Sequence, residues 1–153
     1  MPNLKFALVV VGLVWSTLGA MAQGDAALGS PVPLLQATHG LADCLPPVSV
    51  PPTVEEQRAQ AHEWVERGTS CYQSGRCRLP NAYLYDAEIV PRVQKALTVD
   101  GGFEDTSIWV EGQRRWVWLK GCVRRPEQAQ AAERLVGSLD DVERVINELV
   151  VRP

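Results

Sequence analysis

The sequence predicts an α+β fold in the second half of the chain: a three-stranded mixed sheet with two helices on one face, preceded by a disulfide-tied N-terminal helical extension. Three observations predict it. Two alternating apolar runs, Ser107 to Glu111 and Trp116 to Val123, flank the stretch Gly112 to Arg115, which is a hairpin signal. Apolar residues at helical spacing occur before this hairpin and again after it. A last alternating run, through Val145, Asn147, Leu149 and Val151, supplies a third strand, and a strand–helix–strand order favours its parallel addition to the sheet.

The chain opens with one basic residue, Lys5, an apolar run of 13 residues from Phe6 to Leu18, and a small-residue stretch ending in Ala20, Met21 and Ala22. This is the pattern of a secretory signal cleaved before Gln23, and the run falls short of the roughly 20 residues that span a bilayer. Leu41-Ala-Asp-Cys44 has the outline of a lipid-attachment site, but it lies far beyond the apolar run and carries Asp43 where a small residue is needed, so Cys44 reads as an ordinary cysteine. Removing Lys5 from the 15 basic side chains leaves 14 against 18 acidic ones, a net charge of −4 on the exported part. Such a balance excludes a general attraction to nucleic acid or to anionic lipid, and leaves room only for a local basic patch.

Residues 23–52 are rich in Gly, Ala and Pro, with Pro46, Pro47, Pro51 and Pro52 near their end, and predict an irregular segment. Thr53-Val-Glu-Glu56 reads as a capping box opening a helix that runs to Arg67 and stops at Gly68, with Val54, Ala61, Trp64 and Val65 on a thin apolar face. With the cysteine loop that follows, this extension occupies 53–80, and the main domain occupies 81–153. There, Asp86 is the expected N-cap of a helix to Thr98, with Ile89, Val93, Ala96 and Leu97 inward and Pro91 implying that the regular helix starts near Val90. Placing Gln113 and Arg114 in the turn pairs Glu111 with Trp116, Val110 with Val117, Trp109 with Trp118 and Ile108 with Leu119. Pro126 opens a helix whose stripe is Ala129, Ala132, Leu135, Val136 and Leu139, and Asp140 and Asp141 mark its exit before the strand Val142 to Val151.

All four cysteines lie in the exported part, and an even number in an oxidising compartment predicts two disulfides. Cys71 and Cys77 flank Gly75, which suggests a local loop and leaves Cys44 for Cys122, although four cysteines allow three connectivities. No C-x-x-C occurs, and His39 and His62 complete neither a metal site nor a catalytic constellation, so no cofactor and no enzymatic activity are expected.

From Asp86 onward, the helix–strand–strand–helix–strand order resembles the BON domain, named for bacterial osmotic-stress and nodulation proteins. The resemblance rests on Val117-x-Leu119-x-Gly121-x-Val123 and Val142-Glu-Arg-Val145-Ile-Asn147-x-Leu149. Arg115 stands where the family has a glycine, and Gly112 is expected to serve the turn instead. Only one such domain is evident, where relatives commonly carry two. The resemblance implies a non-enzymatic periplasmic role in envelope integrity or stress protection, with attachment to phospholipid or to an envelope protein.

The expected register turns Ile108, Val110, Val117, Leu119 and Val123 toward the helices, with Gly121 leaving room for their close approach, and turns Trp109, Trp116 and Trp118 away. Three tryptophans on one face require either a cover, provided by the N-terminal segment and Trp64, or a partner. They form the candidate partner or lipid surface, together with Arg114 and Arg115 at the tip; Arg124 and Arg125 lie at the opposite strand end.

Overall fold

The computed structural model describes residues 34–48, 53–56, 58–59 and 70–152. The expected signal, the helix beyond Ala59 and Trp64 lie outside the described residues.

Among the described residues, four strands form one sheet in the order β1-β2-β3-β4: β1 (Leu35–Gln36), β2 (Ser107–Gln113), β3 (Trp116–Val123) and β4 (Arg144–Val151). Strands β2 and β3 make the antiparallel hairpin, and β4 joins β3 in parallel, from Trp116 opposite Arg144 to Val123 opposite Val151. The fourth strand is β1, which corrects the expected count of three. It lies antiparallel to β2, with Leu35 opposite Val110, inside the stretch expected to be irregular. Its short ladder continues as hydrogen bonds from Ala37 N–H to the Ile108 carbonyl and from Gly40 N–H to the Thr106 carbonyl. The edge of β2 thereby finds partners before the prolines begin.

Helix α1 (Tyr83–Val99) and helix α2 (Pro126–Gly137) cover one face. Helix α1 starts earlier than expected, with Ala82 rather than Asp86 at its N-cap; Asp86 falls within the first turn, and Asn81 Oδ1, just before the cap, accepts the Tyr83 N–H at 2.9 Å. Pro91 sits inside the continuous helix rather than at its start. Pro126 opens α2 as expected, and Gln128 satisfies the chain entering it. The core between helices and sheet holds Tyr85, Ile89, Val93 and Leu97 of α1, Ile108 and Val110 of β2, Val117, Leu119 and Val123 of β3, and Ala132 and Val136 of α2. Helix α1 packs tightly on the sheet at Gly112, where a Cβ would collide with Cγ2 of Val90.

The hairpin register differs from the expected one by two residues. Gln113 pairs with Trp116, Glu111 with Trp118 and Val110 with Leu119, so the turn is Arg114-Arg115 and Gly112 belongs to β2. A shift of two preserves the period of two, and each side chain keeps its expected face. The turn carries two positive φ angles, 55° at Arg114 and 70° at Arg115, a geometry usually given to Asn-Gly. What permits it here is the Asp86 carboxylate, which accepts the backbone N–H of both arginines at 2.6 and 2.9 Å. Gly121 has φ 115°, and a Cβ there would strike the Ser107 carbonyl and approach the Trp109 ring, so this glycine makes room for the hairpin and its tryptophan rather than for a helix.

Candidate functional site

The sheet face away from the helices divides into a closed half and a more open one. At the closed half, residues 34–44 fold back along β2 and bury Trp109 to 6 % exposure among Leu34, Leu41, Cys44 and Cys122. Ser107 Oγ accepts the Leu41 N–H and donates to the Leu41 carbonyl, both at 3.0 Å, while Thr38 Oγ1 meets Thr106 Oγ1 at 2.8 Å. The Cys44–Cys122 disulfide, with a Cα–Cα distance of 6.0 Å, fixes the end of this cover to β3.

Farther along β3, Trp116 and Trp118 are half-buried, and their ring centroids lie 6.2 Å apart. On β4, Arg144 and Ile146 stand opposite them in register, and the Arg144 guanidinium sits 5.1 Å from the Trp116 ring. Lys120 and Glu111 form an ion pair at 2.6 Å beside this aromatic row. The face ends in a shallow groove of about 300 Å³ lined in part by Leu45, Val48, Val150 and Arg152. Leu45 and Val48 are 80 % and 86 % exposed there, and Val150 is 55 % exposed.

The three tryptophans therefore share a face but not an environment. Trp109 belongs to a small second core, whereas Trp118 is only half-buried. The arginines expected beside them at the tip turn elsewhere. Arg114 is 8 % exposed, with its guanidinium 5.9 Å from the Tyr83 ring. Arg115 reaches back under the hairpin, where Nε donates to the Asp141 carbonyl at 2.8 Å and the guanidinium lies 5.2 Å from the Tyr85 ring. Both guanidinium groups are thus largely withdrawn from the surface. At the other strand end, Arg125 is exposed and 3.3 Å from Asp105.

The second bridge joins Cys71 to Cys77, and Arg115 Nη1 approaches both sulfurs, at 3.0 Å from Cys77 and 3.6 Å from Cys71. This contact was invisible in the sequence, because the cysteines precede the arginine by some forty positions and nothing local marks their meeting. The capping box at Thr53 forms, with the Thr53 N–H donating to Glu56 at 2.7 Å and the Glu56 N–H donating to Thr53 Oγ1 at 3.2 Å. That contact, led by the Thr53 backbone N–H, holds the Glu56 carboxyl below its ordinary value. Val54 is exposed rather than packed.

Among the described residues, no group of three or more His, Cys, Asp or Glu side chains is placed to hold a metal, and no helix is long and apolar enough to cross a membrane. Burial raises the Asp86 carboxyl above its ordinary value, the Arg115 and Arg114 backbone N–H groups opposing it. Since that carboxylate is committed to holding the turn, its perturbation has a structural cause.

No curated protein matches the chain. The family model of the BON domain matches residues 85–153, which takes in nearly all of α1, the hairpin, α2 and β4. The order of these elements agrees with the αββαβ pattern read from the sequence, with β1 and the cysteine loop added outside it. Residues 85–153 of this chain are a BON domain.

Proposed function

We propose that this protein is a non-enzymatic envelope component that uses the outer face of β3 and β4 to bind an envelope protein. A BON domain points to a periplasmic or envelope-associated, stress-related role, and the family is generally non-enzymatic. The observation that carries the choice of partner is the state of the charges around Trp118. Lys120 is paired with Glu111 at 2.6 Å, Arg144 lies over Trp116, and Arg114 and Arg115 are turned into the fold. A half-buried aromatic and aliphatic row flanked by engaged charges suits a protein surface, where aromatic anchors carry much of the binding energy. A phosphate-bearing surface asks instead for a cluster of accessible cations, and the exposed ones here, Arg144 and Arg152, lie at opposite ends of β4.

Photocrosslinking in cells tests this reading, with the crosslinker placed at position 118 and, as a control, at the exposed Glu127 on α2. Discrete protein adducts are expected from position 118 alone, weakened by Ile146→Ser. Flotation with liposomes containing anionic lipid is expected to leave the protein at the bottom of the gradient. Flotation that is lost in Trp118→Ala would replace the protein partner with a lipid one, and adducts of equal strength from both positions would remove the face from consideration.

A further inference from the structure

The two disulfides occupy opposite environments. Cys44 and Cys122 are 6 % and 5 % exposed and belong to the second core. Cys71 and Cys77 are half-buried, and the loop between them, 72–76, is exposed throughout. Among the described residues, only this second pair has a cation at hydrogen-bond distance from its sulfurs, and that cation is held by other contacts as well. Arg115 is anchored at its backbone by Asp86, at Nε by the Asp141 carbonyl and at its guanidinium face by Tyr85, none of which depends on the bridge, and its Nη1 lies 3.0 Å from Cys77 Sγ.

We propose that Cys71–Cys77 is a thiol–disulfide exchange site, opened by a dithiol protein or a small dithiol, with Cys77 as the leaving group and Arg115 as the positioning residue that receives it. The attacking thiolate bonds to Cys71 Sγ, the Cys71–Cys77 bond breaks, and its electron pair leaves on Cys77 Sγ. A guanidinium at hydrogen-bond distance stabilises that thiolate, and a stabilised thiolate is the faster leaving group. The second thiol of the dithiol, deprotonated, then attacks its own partner sulfur in the mixed disulfide. Cys71 is released as a thiolate and takes up a proton. Two electrons have passed to the cysteine pair, and the dithiol has become a disulfide.

The other charges around the pair do not displace the cation. Glu143 lies 3.9 Å from Arg115 Nη1, Arg76 is turned to Ser74, and Arg78 is occupied by Glu88 and Asp141. The Asp86 carboxylate faces the backbone of the turn.

Titration of the oxidised protein with graded ratios of reduced to oxidised dithiothreitol, trapped by alkylation and mapped by mass spectrometry, tests the assignment. Cys71–Cys77 is expected to open at ratios at least tenfold less reducing than Cys44–Cys122. Arg115→Gln is expected to make opening about tenfold harder and Arg115→Lys to restore much of the difference, both with native circular dichroism. In the reduced wild-type protein, alkylation of Cys77 is expected to follow a thiolate that ionises below the ordinary value of about 8.5. The proposal is overturned if the bridges open together, if Cys44–Cys122 opens first, or if a folded Arg115→Gln variant behaves as wild type. Should that variant not fold, a Cys77 ionisation at or above the ordinary value in the wild type overturns it alone.

Discussion

The Asp86 carboxylate, in the first turn of α1, accepts the backbone N–H of Arg114 at 2.6 Å and so ties the helix to the tip of the hairpin. A second oxygen takes the Arg115 N–H, and the pair of bonds satisfies a turn whose two residues both have positive φ. Asp86→Ala removes two charge-assisted bonds and leaves a buried space, so a loss of about 3 kcal/mol in unfolding free energy is expected from urea denaturation. A change under about 0.5 kcal/mol, the range of ordinary surface substitutions, would contradict this role.

Asp86 also sets a pH dependence of unusual sign. Its folded carboxyl is raised, chiefly by burial, above the ordinary aspartate value of 3.8. A group that holds its proton more tightly in the folded state adds stability as pH falls through that raised value toward 3.8, and withholds it at neutral pH. Stability of the wild type minus that of Asp86→Asn is therefore expected to grow on acidification across this window. Asp105 contributes oppositely, since the Gln128 side chain holds its carboxyl low, and its share is lost as pH falls. Comparing the wild type with Asp86→Asn in one buffer series separates Asp86 from this background, and a difference that shrinks on acidification would falsify the account.

The bridges are expected to contribute unequally to stability. Cys44–Cys122 spans a sequence separation of 78 and Cys71–Cys77 a separation of 6. Chain-entropy reasoning assigns about 4 kcal/mol to the long bridge and about 2 kcal/mol to the short one, read from double Cys→Ala variants. Loss of the long bridge is also expected to shift tryptophan emission to the red, because Trp109 loses part of its cover. An equal or larger loss from the short bridge would count against the geometry.

Gln128 is expected to behave as a core residue despite its polarity. It is 5 % exposed; its Oε1 accepts the Arg124 and Arg125 N–H groups, and its Nε2 donates to the Gly102 carbonyl and to Asp105. Gln128→Ala strands these partners at the start of α2 and should cost about 2 kcal/mol. Thermal unfolding of this variant beside Gln130→Ala, an exposed position on the same helix, gives the comparison; equal melting temperatures would refute the assignment.

The helices, the hairpin and the parallel last strand were legible because each follows a simple period, and a two-residue slip in register left every face as read. The exact turn was not legible. Its determinant is Asp86, 28 positions away, and turn chemistry alone disfavours two arginines at positive φ. For the same reason Asp86 read as a helix cap, the usual employment of an aspartate before an apolar stripe. Strand β1 was hidden because two residues carry no period. Among the candidate surface residues, the sequence grouped Trp109 with Trp116 and Trp118 by alternation, while their different burial depends on residues 34–44 folding back, a long-range event without a local signature.

The placement of the cysteines has a consequence for biogenesis. A chain that emerges from the ribosome with its N-terminus leading presents Cys44 first and Cys122 last, with Cys71 and Cys77 between them. Oxidation in order of arrival would couple Cys44 to Cys71, a pairing that has to be undone before the native one can form. Yield from an oxidative refolding or secretion experiment should then depend on disulfide shuffling rather than on oxidising power alone.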